Sequence, residues 1–222
     1  MIQLININKG YILPNKKRLV LFENLSLKIE NEKSLSIQGR SGAGKTTLLN
    51  IIAGLDIQYD GDYFFDGIKM LHKRNMMSDF RLKNIGIITQ KYDLLNDRNV
   101  FNNVAITLHC LDENRKSVKS KVENALETVG MIDFKDKYPN ELSGGESQRV
   151  AIARAIVKKP KILLADEPTG ALDEETEEEV LKVFARLQKQ GNKLVLVTHS
   201  SVVASICEVR YKVENKNIIQ IP

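Results

Sequence analysis

The chain has 222 residues, of which 42% are apolar and 27% charged, an ordinary globular composition that excludes disorder, collagen-like repeats and a disulfide scaffold. Its 33 Lys and Arg against 28 Asp and Glu leave a mild net charge of +5. The basic clusters Lys16-Lys17-Arg18, Lys73-Arg74 and Lys158-Lys159-Pro160-Lys161 lack the interleaved aromatics of a single-strand binding groove, so no nucleic-acid partner is expected.

A chain of this length buries roughly 70% of the surface its unfolded form exposes, so its core needs no metal or cross-link. The two cysteines, Cys110 and Cys207, fit a reducing compartment and are expected to be buried thiols. No window approaches the roughly 18 apolar residues of a membrane span, and Met1-Ile2-Gln3-Leu4 does not open a signal peptide. A soluble intracellular protein is expected.

In chain order, residues 19–29 and 62–68 read as strands with turn signals, an antiparallel β layer near the N-terminus. Between them, residues 35–38 form a short strand that enters a glycine-rich turn, and an apolar helix over residues 45–53 stops at Gly54. Residues 85–89, 162–165 and 194–198 are apolar without alternation, the mark of buried parallel strands, and strands separated by helices imply an α/β core. Residues 91–141 contain no good strand. Within them Val118, Val122, Ala125, Leu126 and Val129 form one apolar stripe ended by Gly130. This predicts a helical subdomain (91–141) inserted into a core made of 1–90 and 142–222. The acidic run from Asp173 to Glu179 opens a helix that closes with Arg186, Lys189 and Gln190 before Gly191, charges that suit the helix dipole.

The sharpest chemical signal is Gly39-Arg40-Ser41-Gly42-Ala43-Gly44-Lys45-Thr46, which matches G-x-x-x-x-G-K-[ST] after a strand and before a helix. Backbone N–H groups of such a loop, with the helix N-terminus and the following Thr47, cradle phosphates. Lys45 is expected to reach the β- and γ-phosphates and Thr46 to hold Mg²⁺. The Mg²⁺ site needs a carboxylate at the end of a neighbouring buried strand, and Asp166 supplies it. Glu167 follows and can polarise the attacking water. Gln90 and His199 end two other buried strands, where open α/β sheets gather ligands, so Gln90 is a candidate for Mg²⁺ or water and His199 for the γ-phosphate. Leu142-Ser143-Gly144-Gly145-Glu146, placed just before a helix over residues 147–157, is a second turn suited to an oxyanion.

On these motifs the chain resembles the nucleotide-binding subunit of an ATP-binding cassette (ABC) transporter. The P-loop at 39–46, Gln90, the signature 142–146, the strand ending at Asp166, Glu167, Ala171-Leu172-Asp173 and His199 stand in the family's order. The resemblance implies a P-loop NTPase core with a mostly parallel sheet. It also implies MgATP hydrolysis with Glu167 positioning water, and an ATP-bound homodimer in which Ser143 and Gly145 of one subunit close over the ATP held by the other, with Gly144 and Asp173 among the nucleotide-binding residues. Tyr11 matches the family's adenine-stacking aromatic. Membrane permease subunits on separate chains, and a place on the inner face of the cell membrane, follow from the same resemblance, with residues 91–104 as the segment that contacts the permease.

Leu49-Asn50-Ile51-Ile52-Ala53-Gly54-Leu55-Asp56 and Thr169-Gly170-Ala171-Leu172-Asp173 resemble the subfamily of macrolide, lipoprotein-release and bacteriocin exporters, which implies export. Thr89, Glu146, Ser200 and Glu174-Glu175 depart from that subfamily's pattern. An ATPase driving a membrane complex that senses antimicrobial peptides or regulates the cell wall is the alternative. A soluble nucleic-acid ATPase of the superfamily fits less well, since only one P-loop is present and residues 91–141 lack sustained heptads.

Overall fold

The structure, a computed structural model, describes residues 1–30 and 34–222. Two compact units emerge: Met1–Arg81 with Leu196–Pro222, and Leu82–Val195.

The first unit opens with β1 (Ile2–Ile12) and β2 (Arg18–Ile29), antiparallel in a register that sets Ile2 opposite Ile29 and Tyr11 opposite Leu19. Next come β3 (Ser34–Gln38), α1 (Lys45–Ile52), β4 (Asp60–Phe65), β5 (Ile68–Met70) and α2 (Arg74–Asn84). One sheet has the order β2-β1-β4-β5, the antiparallel layer the sequence predicts. Strand β1, whose pattern alternates as a half-buried strand should, was not among the predicted elements; its Ile2, Leu4 and Ile7 are fully buried. Phe80 of α2 closes this core edge-on against Tyr63 and Phe65. Lys9 is only 4% exposed and is held by Asp56 at 2.7 Å and by the Gln58 carbonyl, a buried cation with its partners in place.

The second unit contains β6 (Ile85–Ile88), α3 (Val100–His109), α4 (Arg115–Thr128), short 3-10 turns at Ile132–Phe134 and Pro139–Glu141, α5 (Gly144–Ile156), β7 (Ile162–Asp166) and α6 (Glu174–Lys189). Strand β8 (Lys193–Val197) begins in it. Strands β6 and β7 are parallel, with Ile88 opposite Ala165, and their residues are almost wholly buried, which explains the unbroken apolar runs. The stripe on α4 is buried at Val118, Val122, Ala125 and Leu126, and the helix ends where Gly130 turns left-handed at φ 70°. Residues 91–141 hold no strand.

The chain then returns to the first unit through α7 (Ser201–Ser205), β9 (Val209–Glu214) and β10 (Asn217–Ile221). Strand β9 is parallel to β3 and antiparallel to β10.

Two expectations need correction. Helix α5 begins at Gly144 and not at residue 147: Ser143 is its N-cap, and the two glycines, poor helix formers, are carried into the first turn by a capping box with Glu146. Cys110 is exposed, because α3 ends there and turns outward at Leu111-Asp112, while Cys207 is buried and its thiol is pushed up to about 12 by that burial. No helix among the described residues is long and apolar enough to cross a membrane.

Candidate active site

In the first unit, β3 runs from Ser34 to Gln38 with its first four residues buried, then opens into the glycine-rich turn. Ala43 N donates to the Arg40 carbonyl at 3.1 Å, and α1 starts immediately after. Gly44 occupies the N-cap with φ 99°, and a Cβ built there would lie 2.9 Å from the Phe22 ring, so both conformation and space require glycine. No side chain caps α1 and no acidic residue stands in its first turn. Its first N–H groups are therefore offered outward with the positive end of the helix. Lys45 folds back over the loop, its Nζ donating to the carbonyls of Gly39 at 3.0 Å and Arg40 at 3.2 Å. Arg40, Ser41, Gly42 and Thr46 are exposed; Ala43 and Thr47 are half-buried.

His199 belongs to the same unit. The preceding residue, Thr198, is buried and its N–H donates to the Ile37 carbonyl on β3, so His199 stands, exposed, beside the strand that enters the loop. Ser200 has a structural reason to be serine: its hydroxyl caps α7, accepting from Val203 N at 3.3 Å. Tyr11 is 42% exposed, with its hydroxyl 3.3 Å from Asp56 and the Lys9 ammonium 4.7 Å above one face of its ring.

The second unit holds Gln90, the signature turn, Asp166, Glu167 and Asp173. The parallel register of β6 and β7 brings their C-terminal ends side by side, which sets Gln90 and Glu167 on neighbouring turns. A Cβ built on Gly170 would lie 3.4 Å from Gln90 Nε2 and 3.6 Å from Glu167 Cβ, so this glycine is where the two side chains converge. Glu167 adopts φ 46°, a left-handed conformation uncommon for a residue with a long side chain, and Gly170 N closes the turn on the Glu167 carbonyl at 3.1 Å.

The signature turn satisfies itself. Ser143 Oγ accepts from Glu146 N at 3.3 Å and Glu146 Oε2 accepts from Ser143 N at 2.7 Å. The backbone hydrogen bond from Ser143 holds the Glu146 carboxyl below its usual range. Asp173 caps α6 in the same way, accepting from Thr176 N at 3.0 Å and from the Thr176 hydroxyl at 2.9 Å, which lowers its pKa. Gly145 locks the two helix starts together, since a Cβ on it would fall 2.0 Å from Thr176 Cγ2.

Two further polar residues of this region carry no motif in the sequence. Arg154 donates to the carbonyls of Tyr92 and Asp93, each at 2.6 Å, and Gln148 is fully buried with neither amide atom hydrogen-bonded among the described residues. A single sequence carries no spacing rule that would single them out.

The described residues contain no group of three His, Cys, Asp or Glu able to hold a metal by itself. Mg²⁺ does not need one, since it is commonly held by one or two protein oxygens plus phosphate and water. Taken separately, the exposed hydroxyl of Thr46 in the first unit and the half-buried carboxylate of Asp166 in the second are each an oxygen donor of the kind Mg²⁺ takes.

The family model described as "ABC transporter" matches residues 22–170. The chain belongs to the ABC transporter family. Among its relatives is a methionine import ATP-binding protein, MetN 1 of Staphylococcus epidermidis, 40% identical over 225 residues that cover 99% of this chain and 65% of the relative. The bacitracin export ATP-binding protein BceA of Halalkalibacterium halodurans is 38% identical over 204 residues, 91% of this chain and 80% of that one. The ATP-binding cassette MJ0796, solved as a dimer in a post-hydrolysis state with ADP and Pi, superposes with a TM-score of 0.88 at 31% identity, covering all of this chain and 99% of that one. This ABC chain thus spans about two thirds of the methionine-import relative, and its α/β architecture with an antiparallel layer is that of a solved cassette.

Proposed function

We propose that the chain is the ATP-binding and ATP-hydrolysing subunit of an ABC transporter, powering a permease carried on separate membrane chains. The observation that carries this reading is the uncapped N-terminus of α1 behind its glycine turn, with Lys45 poised over the same loop. The loop amides of residues 39–47 and Lys45 bind the triphosphate; Tyr11 stacks on the adenine with the face opposite Lys9. Thr46, Asp166 and Gln90 hold Mg²⁺, which when bound offsets phosphate charge. Glu167 orients the attacking water and accepts its proton, and His199 stabilises the γ-phosphate.

The reaction needs two copies. Ser143, Gly144, Gly145 and Asp173 of one chain close over the nucleotide held by the other, and loss of the γ-phosphate removes the bridge. Both copies sit on the inner face of the cell membrane. Residues 91–141 form a helical subdomain within a core of 1–90 and 142–222, and residues 91–104 meet the permease. We assign export as the direction, on the residues 49–56 and 169–173 shared with exporter ATPases; one relative imports and another exports.

The test is affinity purification of the Glu167→Gln variant from detergent-solubilised cells with MgATP, followed by identification of what accompanies it. A multi-span membrane protein is the expected companion. Ribosomes or DNA without any membrane protein would overturn the reading.

A further inference from the structure

The turn after Gln90 contains two consecutive residues that L-amino acids seldom place there, Tyr92 at φ 61° and Asp93 at φ 48°. Such a pair persists only where its surroundings over-determine it. Within the turn, Thr89 Oγ1 donates to Asp93 Oδ2 at 2.7 Å, and Tyr92 N donates to the Thr89 carbonyl at 3.3 Å. The decisive restraint comes from elsewhere. The Arg154 guanidinium, in the last turn of α5, donates from Nη2 to the Tyr92 carbonyl and from Nη1 to the Asp93 carbonyl. A planar fork bridging two adjacent carbonyls fixes their relative orientation, which a single donor cannot do. Burial lowers the Arg154 pKa, a sign that this cation has given up solvent for the two carbonyls.

The same turn touches the other end of α5. Tyr92 Oη lies 3.3 Å from where a Cβ on Gly144 would stand, so one loop residue meets the signature helix at its first turn while its carbonyl is held near the last. Two residues before Tyr92, Gln90 lies against Gly170 beside Glu167.

We propose that Arg154 is a positioning residue for ATP hydrolysis, its guanidinium fixing the Tyr92–Asp93 turn that sets where the Gln90 amide stands against the Glu167–Gly170 turn. The proposal rests on the reading of Gln90 and Glu167 as parts of the hydrolytic site. Arg154 touches no reacting atom; it acts through the loop backbone. A basic residue near the C-terminus of a helix also suits the helix dipole, but that role alone leaves the rate of hydrolysis untouched.

The experiment is a double-mutant cycle on the full chain with Arg154→Met, Gln90→Ala and the pair, reading kcat and KM for MgATP, nucleotide Kd and the melting temperature. Arg154→Met is expected to lower kcat about 10-fold to 100-fold, as small misplacements of catalytic groups do, with Kd within about twofold of the wild type. In the Gln90→Ala background the same change should cost less than about threefold, because the group being positioned is gone. Arg154→Lys, which keeps the charge but not the fork, should fall between wild type and Arg154→Met, and it serves in place of Arg154→Met should that protein not fold. Wild-type kcat in the Arg154 variants beside a loss in Gln90→Ala overturns the clamp alone. Wild-type kcat in Gln90→Ala overturns the role given to Gln90 and the clamp with it. Effects that multiply in the pair show that Arg154 does not act through Gln90.

Discussion

Two helices of this chain begin with glycine-rich turns, and their N-termini are prepared differently. Helix α1 starts at a left-handed Gly44, with no side-chain cap and no acid in the first turn. Helix α5 starts at Ser143, whose side chain and that of Glu146 satisfy each other's backbone N–H groups. The first four N–H groups of a helix must find partners somewhere. In α1 they are left for a ligand, and the dipole favours an anionic one. In α5 part of that capacity is already spent inside the turn, and Glu146 adds negative charge where a phosphate would approach. On the proposed function, the α1 turn is the primary phosphate cradle and the α5 turn a weaker surface that closes over a nucleotide bound by another copy.

The comparison breaks most visibly at Glu167. Its replacement by Gln should reduce turnover about 10²-fold to 10⁴-fold, the range for loss of a general base, while ATP stays bound and the dimer persists by light scattering. Retained hydrolysis would remove Glu167 from the reaction. Next in size is Lys45→Ala. Loss of a charge-assisted contact of about 1.5–3 kcal/mol should weaken the Kd for ATP about 10-fold to 150-fold in equilibrium titration, whereas Ser143→Ala should hardly change the affinity of the isolated chain. Equal losses in the two variants would mean that the two helix starts are not unlike after all.

Most of this contrast was legible beforehand in one half and not in the other. The strand, glycine-rich turn and helix at 34–52 follow from glycine spacing between a buried strand and an apolar helix, so the local pattern sufficed for the fold there. The apolar runs of β6, β7 and β8 were visible because their residues are almost all buried; Asp166 ends β7, while Gln90 and His199 stand two residues beyond β6 and β8. The start of α5 differs from the sequence expectation because Gly144 and Gly145 oppose helix by propensity, and only the reciprocal bonds of Ser143 and Glu146 carry them into it. Strand β1 alternates only in part, its Asn6, Asn8 and Lys9 interrupting the apolar pattern, so its sequence signal is weak. The grip of Arg154 on Tyr92 and Asp93 joins residues about 60 positions apart, a relation that no local pattern encodes.

Gly145 sharpens the comparison from the stability side. A methyl group there meets Thr176 Cγ2 at 2.0 Å, so Gly145→Ala must push apart the starts of α5 and α6. Overpacking of this kind costs about 1–3 kcal/mol, a fall in melting temperature of roughly 2–4 °C per kcal/mol for a chain of this size. Adding Thr176→Ser removes the obstructing methyl group and keeps the hydroxyl that bonds Asp173. The double variant should regain most of the loss, and no recovery would locate the strain elsewhere.

The smallest effect tests the carboxylate that distinguishes the two helix starts. The Glu146 pKa is lowered in the folded chain, chiefly by the backbone hydrogen bond from Ser143, relative to an ordinary value of 4.5. A carboxyl with a depressed folded pKa contributes its stability in full above the unfolded value and loses it as pH falls through the folded one. Glu146→Gln, which keeps the shape but not the charge, should therefore cost about 0.3–1 kcal/mol near neutral pH, the usual worth of a negative charge at a helix N-terminus. The difference from wild type should shrink below pH 4.5 and vanish once Glu146 is protonated in both states, as read by denaturant unfolding across the acid range. The same substitution removes a negative charge from the surface proposed to close over phosphate, so ATP-dependent dimerisation should become tighter while the isolated fold becomes weaker. Opposite signs in these two measurements are what the reading requires, because charge that stabilises α5 internally competes with the nucleotide for the same N–H groups. A variant that loses stability without gaining dimer affinity would show that the α5 turn does not meet phosphate.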